Sequence, residues 1–189
     1  MARDIWKPGN MLNPVPVVMV SCKRPGERAN IITVAWTGTI CSDPAMLYIS
    51  VRPERHSYDI IKETGEFVVN LVNEEMVRQC DWCGVRSGAE YDKFGEMGLT
   101  AIPSEVVSPP TIGESPVSLE CRVKQVVPLG SHDMFLAEIV SVTVDKKYMD
   151  DSGRFSIEDA GLVAYCHGKY FGLGEYLGKF GYSVAKKDK

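Results

Sequence analysis

The sequence contains no apolar run that approaches the roughly 20 residues needed to span a bilayer. Its first ten residues, MARDIWKPGN, include no apolar core of the length found in signal peptides. We therefore expect a cytoplasmic protein without a membrane segment. A basic charge excess is also absent, because the formal net charge is -4, and a mildly acidic chain binds a nucleic-acid backbone poorly. Nucleic acid is not an expected partner.

The common signatures of dinucleotide and metal sites are missing as well. Residues 172–178, GLGEYLG, have the spacing G-x-G-x-x-x-G rather than the dinucleotide fingerprint, and no strand-helix-strand unit surrounds them. Cys80 and Cys83 form a C-x-x-C pair, but only the remote Cys166 and His167 offer further ligands. The pair is open to three interpretations, namely two buried thiols, a thiol redox pair, or a Cys83 beside a bound cofactor. No metal site is predicted.

What the chain does have is the length and composition of one globular domain. A chain of 189 residues with 44% hydrophobic and 24% charged residues can bury a core of its own. A chain of this length does not need a disulfide scaffold, so we expect most of the six cysteines to be thiols. No internal repeat or linker divides the sequence, and a single domain over residues 1–189 is predicted.

Short runs rich in β-branched residues predict a mainly β protein with flanking helices. Because regular alternation of strands and helices is absent, the pattern favours a closed or partly closed antiparallel barrel over a doubly wound sheet. Residues 117–124, VSLECRVK, alternate between apolar and polar types, which predicts a strand with one wet face. Residues 134–144 are apolar at most positions, which predicts a strand buried on both faces. The predicted strands are 15–20, 29–36, 46–51, 66–72, 117–127 and 134–144, the helices are 57–64, 74–83 and 91–98, and 106–116 is a long loop.

The segment WTGTICSDP, residues 36–44, lies between two predicted strands and is interpreted as a polar turn. It would expose backbone N–H and C=O groups beside the hydroxyls of Thr37 and Thr39 and the indole of Trp36. A flat heteroaromatic ring such as a flavin suits this combination, since its edge forms hydrogen bonds and its faces are apolar. The alternative is an ordinary tight turn after a strand.

The nearby RPERHS stands directly before the helix predicted at residues 57–64. Ser57 is a residue type that caps helices, and a helix start presents free N–H groups and a positive dipole end to a phosphate. Arg55 would add charge-assisted hydrogen bonds. The alternative is a capped helix behind a solvated basic turn. A ring-sized turn and an anion site so close in sequence favour flavin mononucleotide (FMN).

The blocks N..TVAW.G..CSDP....ISVRP.RHSYD.I..TGEFVVNL, SG..YDKF..MGLT and GSHDMFLAEIV, in this order, resemble the flavin reductase-like, FMN-binding split-barrel family and its flavoredoxin-type branch. The similarity covers residues 10–180. It implies an antiparallel split β-barrel of the Greek-key type that forms a homodimer, with FMN held noncovalently near the subunit interface. It also implies an oxidoreductase that passes electrons from NADH, NADPH or a protein donor through the flavin to flavin, a ferric complex or a protein acceptor.

The resemblance further implies which residues hold the ring of the cofactor. Asn30 and Trp36 would flank the flavin, and Thr37, Gly38 and Thr39 would supply the turn around it. Trp36 also has a structural interpretation, since most buried tryptophans simply belong to the core.

By the same resemblance, Ser57 with Arg55 and His56 matches the phosphate end. Lys93, in YDKF, matches a position whose ammonium reaches the phosphate or the ribityl chain, although a lysine on a short helix is otherwise a solvated charge. The preceding RSGAEY departs from the family at Ala89 and Tyr91, which leaves the nicotinamide side of the pocket open.

Two aromatic side chains from the second half of the chain complete the implied site. His132, in GSHDMF, matches a histidine that lies close to the flavin. We predict that it is a catalytic residue that acts on the redox step of the flavin, and the alternative is a hydrogen-bonded structural histidine. Tyr165, in VAYCHG, matches an aromatic position near the ring.

Two other functions remain open. The first is an electron carrier that keeps FMN bound and turns over nicotinamide poorly. The second, from a different class, is a thiol or zinc-binding module built on Cys80 and Cys83. A purified protein with a flavin spectrum favours an oxidoreductase or a carrier, whereas a colourless, zinc-loaded protein favours the module.

Overall fold

Strands dominate residues 1–184, which are the part of the chain described by the computed structural model. The strands are β1 (Val15–Pro16), β2 (Val18–Cys22), β3 (Asn30–Val34), β4 (Thr37–Ser42), β5 (Ala45–Val51), β6 (Glu66–Leu71), β7 (Ala101–Ile102), β8 (Thr111–Ile112), β9 (Val117–Pro128), β10 (Asp133–Val144), β11 (Val163–Cys166) and β12 (Lys169–Gly172). The α-helices are α1 (His56–Thr64), α2 (Val77–Val85) and α3 (Lys93–Met97), with 3₁₀ turns at Glu74–Met76, Lys146–Tyr148, Ile157–Ala160 and Tyr182–Val184. In this part of the chain, no helix is long and apolar enough to cross a bilayer.

Seven strands form one antiparallel sheet in the order β3-β2-β6-β9-β10-β5-β4. Its two edge strands, β3 and β4, follow each other in the chain and are separated only by Ala35 and Trp36. Three Cα-to-Cα steps span at most about 11 Å, so the sheet has to curl until its edges approach each other. The result is a half-barrel that is split between β3 and β4, which confirms the predicted split barrel.

Two apolar cores hold the sheet, one on each face. The inner core fills the barrel around Ile49, Phe67 and Phe135, and α1 adds residues such as Ile61 to it. The outer core lies where α2 and α3 pack against β2 and β3. Strand β2 separates the two cores, which is why all five of its residues are buried. Members of the outer core include Met19, Ile31, Cys80, Cys83 and Phe94.

Each predicted strand and helix is present, with ends shifted by one or two residues. Strands β4, β11 and β12 are additional, and they lack a clear apolar alternation. The two-residue strands β7 and β8 are additional too, and β8 interrupts the loop predicted at residues 106–116. The polar turn predicted at residues 36–44 is wrong, because residues 37–42 form the edge strand β4, which pairs with β5. Backbone pairing along β5 does not require apolar side chains, so a Thr- and Ser-rich segment serves as an edge strand. The extent of the domain to residue 189 stays a prediction, since residues 185–189 lie outside the described part.

The wet face predicted for β9 is wrong at Ser118 and Glu120, which are both buried. The Ser118 hydroxyl donates a hydrogen bond of 2.8 Å to Asn70 Oδ1. The Glu120 carboxylate accepts three backbone N–H groups, from residues 105 to 107, at 2.9, 2.7 and 3.1 Å. The loop before β8 therefore folds over this end of β9 and covers polar groups that alternation alone assigns to solvent.

Strand β10 also differs from its prediction, because only Phe135 and Ala137 are fully buried along it. These two side chains belong to the inner core, whereas Met134 and Leu136 are half-buried on the opposite face of the sheet. Each apolar side chain on β10 thus faces one of two surroundings. One face is a barrel core, and the other is an open apolar surface.

Candidate functional site

The split of the barrel opens into a cleft of about 890 Å³, which we call the aromatic cleft. Its walls come from the end of β3 with the Ala35–Trp36 link, from β5, from the β9–β10 hairpin and from β11 and β12. Two of its aromatic side chains, Tyr165 and Tyr170, pack edge to face with ring centroids 5.5 Å apart. The aromatic rings that line it are those of Trp36, Tyr48, Tyr165, Tyr170 and His132.

A second cleft of about 580 Å³, the cationic cleft, lies beside the first. The two clefts share lining residues from β3, from the turn before α1 and from α2, so together they form one continuous site. Among the described residues that line the cationic cleft, Glu54 is the only acid, and it pairs with Arg52 at 3.5 Å. The basic residues that line the cationic cleft are Arg52, Arg55, His56, Arg86 and Lys93.

The start of α1 differs from the prediction that Ser57 caps it. The N-cap is Arg55, which has extended backbone angles and forms no side-chain capping bond, and Ser57 lies inside the first turn. Ser57 is buried, and its hydroxyl accepts a hydrogen bond of 2.8 Å from Asn30 Nδ2. The N–H groups at this helix start therefore carry no side-chain cap, and the cationic cleft lies beside them.

Lys93 is buried, so the interpretation as a solvated charge is wrong. Its side chain is 3% exposed, and Nζ donates hydrogen bonds of 2.7 Å to the carbonyl oxygens of Ile31 and of Cys83. Within residues 1–184, no carboxylate lies at ion-pair distance from Nζ. Burial above all, with a contribution from the Arg55 guanidinium, lowers the pKa of the Lys93 ammonium to about 8. A buried cation without an acidic partner thus lines the cationic cleft.

The loop between α2 and α3 supplies lining residues to which the sequence analysis assigned no role, namely Arg86, Ser87 and Gly88. Gly88 lies so close to Asn30 that a Cβ atom at this position would overlap the Asn30 amide. From the other side, Arg28 Nη2 donates a hydrogen bond of 3.1 Å to the Gly88 carbonyl. Only glycine permits this approach. In the sequence, only the run RSG directly after a helix indicates this loop.

His132 lies in the hairpin between β9 and β10 and lines the aromatic cleft together with Trp36 and Tyr165. Its Nδ1 is 3.0 Å from Ser131 Oγ, and its carbonyl accepts the Leu129 N–H at 2.9 Å. Burial, followed by the positive charge of Arg52, lowers the pKa of the His132 imidazole below its ordinary value. The structure therefore brings together three of the predicted ring-end residues from distant parts of the chain.

Comparison with known proteins agrees with this geometry. The family described as the flavin reductase like domain matches residues 11–174. The chain belongs to this family. An uncharacterized protein of Archaeoglobus fulgidus is 34% identical over 124 residues, which cover 66% of this chain and 70% of that protein.

Two solved structures share the fold of this flavin reductase-like domain closely. The flavoredoxin of Desulfovibrio vulgaris is 30% identical, with a TM-score of 0.90, over 97% of this chain and 100% of that chain. The flavoredoxin from Methanosarcina acetivorans is 27% identical, with a TM-score of 0.87, over the same shares of the two chains. Membership of the family implies a redox function that is related to flavins.

In this flavin reductase-like domain, Thr37, Gly38 and Thr39 line neither of the two clefts. The buried Thr37 hydroxyl donates a hydrogen bond of 2.6 Å to the Tyr48 carbonyl, and a Cβ at residue 38 would lie 3.1 Å from the Tyr48 ring. Thr39 is exposed on β4. The first two residues therefore fit closely around Tyr48, which does line the aromatic cleft. Direct contact of all three with a flavin stays a prediction.

Cys80 and Cys83 are both buried on α2, in agreement with the first of their three interpretations. Burial raises the pKa of Cys80 to about 12 and that of Cys83 to about 11, so both are neutral thiols near pH 7. Across residues 1–184, no three His, Cys, Asp or Glu side chains cluster in a way that could hold a metal ion. Cys83 lines the cationic cleft, so the interpretation of Cys83 beside a cofactor remains open.

Proposed function

We propose that the protein is an FMN-binding oxidoreductase whose cationic cleft holds the phosphate and whose aromatic cleft holds the flavin ring. The proposal rests above all on Lys93. A buried ammonium that has only carbonyl partners is costly, because two neutral dipoles do not replace the lost hydration of a full charge. A dianion in the adjoining cleft would supply the missing counter-charge, and a nucleotide phosphate is such an anion.

The donor set of the cationic cleft fits a phosphate. Arg55 and Arg86 offer guanidinium groups, Lys93 has one N–H beyond its two carbonyl bonds, and α1 begins at the same cleft with its N–H groups uncapped. The aromatic cleft fits a planar ring, since tyrosine and tryptophan side chains line it on several sides. Because the clefts are continuous, one molecule with a phosphate at one end and an aromatic ring at the other can occupy both.

When bound, the flavin supplies the redox chemistry, and the chain supplies position and charge. Asn30 and Ser57, joined by their hydrogen bond, hold the first turn of α1 against β3. His132 and Arg52 place two basic groups at the ring end, where they would favour negative charge on the ring. Trp36 and Tyr165 would cover the apolar ring faces and exclude water.

The proposed reaction passes electrons from NADH, NADPH or a protein donor through FMN to flavin, a ferric complex or a protein acceptor. An electron-carrier role is the second candidate, and the similarity to two proteins named flavoredoxin favours it. The six free cysteines fit a reducing compartment, which supports a cytoplasmic protein.

We also propose that two copies associate through the outer face of β5 and β10. The outer face consists of Met46, Tyr48, Met134 and Leu136, which are half-buried and alternate with core residues. Tyr48 lies opposite Leu136 across the strand pair. Because Tyr48 and Met134 also line the aromatic cleft, a second copy on this face would close the open side of the site.

Titration of the purified apoprotein with FMN and riboflavin tests the proposed site. We expect a flavin spectrum and tighter binding of FMN than of riboflavin, because only FMN carries the phosphate. Anaerobic mixing with NADH or NADPH then separates the two functions. Rapid bleaching of the flavin supports the oxidoreductase, and slow bleaching with fast reduction by a protein donor supports the carrier. A protein that binds neither ligand contradicts both.

A further inference from the structure

The chain continues beyond β12 as residues 173–184, which we call the C-terminal arm and which contain no regular structure except the 3₁₀ turn at Tyr182–Val184. Its backbone forms two hydrogen bonds outside regular elements, from Tyr182 N to Lys179 O and from Val184 N to Gly181 O. Both lie within the arm itself. Among the described residues, no side-chain hydrogen bond joins the arm to the barrel. The arm is therefore attached to its own subunit only through β12.

The arm carries large apolar side chains that its own subunit leaves in solvent. Three of the most exposed, Tyr176, Leu177 and Phe180, are 81%, 90% and 107% exposed. Single apolar residues scattered on a protein surface need no explanation, but six exposed large apolar side chains within twelve consecutive residues indicate a contact site. The exposed apolar residues of the arm are Leu173, Tyr176, Leu177, Phe180, Tyr182 and Val184.

The apolar area of the arm is of the order that a stable pair of copies requires. Aromatic side chains bury about 150–250 Å² each, so the three aromatic residues of one arm would bury roughly 450–750 Å². Two symmetry-related arms would bury about 900–1,500 Å², which approaches the total of roughly 1,200–2,000 Å² in standard interfaces. A twofold pair uses each arm and each receiving surface once, so the assembly is closed.

The receiving surface follows from the position at which the arm begins. The arm leaves β12, whose Tyr170 lines the aromatic cleft together with Tyr48 and Met134 of the outer face. Its origin and the outer face thus adjoin the same cleft. The four named side chains of the outer face are apolar or aromatic and half-buried, which suits an aromatic arm, and Ser50 and Glu138 lie beside them on the same side of the strand pair.

We propose that the C-terminal arm of each copy packs on the outer face of β5 and β10 of a second copy. This inference rests on the homodimer of the proposed function and adds that the arm is the element that stabilises it. Under this arrangement the arm contributes apolar side chains to the partner's side of the aromatic cleft. A single copy would then present an incomplete ring end.

Sedimentation equilibrium of truncated chains tests the proposal. Removal of residues 173–189 should raise the dimer dissociation constant by about 100-fold or more, since several aromatic anchors are lost together. The matched control ends after Val184, keeps the arm, and should dimerise like the full chain. The triple variant Tyr176→Ser, Leu177→Ser, Phe180→Ser should reproduce the effect without shortening the chain. An unchanged dissociation constant in these variants, or a monomeric full-length protein, overturns the proposal.

A photo-reactive benzoylphenylalanine in place of Phe180 locates the contact. We expect a covalent dimer with adducts on β5 or β10, whereas adducts within one chain overturn the proposal. FMN titration of the same variants keeps the two hypotheses separate. An arm-dependent dimer that binds no FMN contradicts the proposed cofactor but supports the arm. An FMN-loaded dimer whose dissociation constant is unchanged by the truncation contradicts only the proposed role of the arm.

Discussion

The two ends of the candidate site are built in opposite ways. At the cationic cleft, buried polar groups such as Lys93, Asn30 and Ser57 are held by hydrogen bonds to backbone or to each other. At the aromatic cleft, Trp36 and His132 are only half-buried. The first end is preorganised for a charge, and the second end offers apolar contact and stays open. Substitutions at the cationic end should therefore alter affinity, and those at the aromatic end should alter the spectrum and potential.

The largest effect is expected for Lys93→Met. This change removes a charge-assisted contact to the phosphate, which contributes about 1.5–3 kcal/mol, so FMN affinity should fall by roughly 10- to 150-fold. Riboflavin affinity should change far less. Fluorescence titration of both ligands measures the difference, and Arg78→Met on the exposed side of α2 is the matched control. Similar losses for FMN and riboflavin would assign Lys93 a purely structural role.

The next effect concerns the turn before α1. The double change Arg55→Gln and Ser57→Ala should weaken FMN by about 10- to 100-fold and riboflavin much less, because only FMN brings a dianion to this helix start. The Ser57 change alone should also reduce stability, since it leaves the buried Asn30 amide without its acceptor. Equal weakening of the two ligands would mean that the phosphate lies elsewhere.

A pH series tests whether the charge of Lys93 holds the phosphate. The Lys93 pKa is about 8 in the folded chain, against 10.5 as its ordinary value. As pH rises above about 8, Lys93 loses its proton, and the preference for FMN over riboflavin should decline. The stability of the apoprotein should instead increase with pH. Between pH 8 and pH 10.5 the unfolded chain binds the Lys93 proton more strongly than the folded chain does, so the free energy of unfolding should rise with pH.

Lys93→Met is the control for this pH series. In this variant, the preference for FMN over riboflavin and the free energy of unfolding should both change less with pH than in the wild type. Urea unfolding of the apoprotein and paired ligand titrations at pH 7 to 10 measure them. A preference for FMN that persists unchanged to pH 10 in the wild type would contradict the proposed contact.

At the aromatic end, Trp36→Phe should change fluorescence more than stability. An indole in contact with the ring quenches the flavin, so fluorescence of the bound flavin should recover in part. Trp36 is half-buried, and the loss in unfolding free energy should stay below the roughly 3–5 kcal/mol typical of truncating a buried aromatic core residue. A large stability loss without any fluorescence change would return Trp36 to a structural role.

The smallest effect is expected for His132→Asn. The positive imidazole should favour negative charge on the ring by on the order of 1 kcal/mol, because solvent screens a half-exposed group. Protonation of the imidazole should therefore make the midpoint potential depend on pH more strongly than flavin protonation alone does. Since the pKa of His132 is lowered, this additional dependence should appear below about pH 6.5. Potentiometric titration of the two FMN-loaded proteins measures it. Identical pH slopes and potentials would identify His132 as structural.

Much of the site was predictable from local sequence. RPERHS before a helix pattern indicated Arg55, His56 and Ser57, and all three line the cationic cleft. Family blocks indicated Trp36, His132 and Tyr165, which the structure brings to the aromatic cleft. That Arg55 rather than Ser57 stands at the N-cap was not predictable, because the residue at which a helix begins depends on competing hydrogen-bond partners. Here the Ser57 hydroxyl is bound by the amide of Asn30.

Short β-branched runs were enough to predict the mainly antiparallel fold, and basic residues beside one helix start were enough to predict the cationic end. The burial of Lys93, the approach of Gly88 to Asn30 and the common cleft of Tyr48 and Tyr170 become visible only in the folded chain. Alternation and capping act over only a few residues. Burial and cleft formation depend on how the seven-stranded sheet curls, and that curvature brings together side chains far apart in the chain.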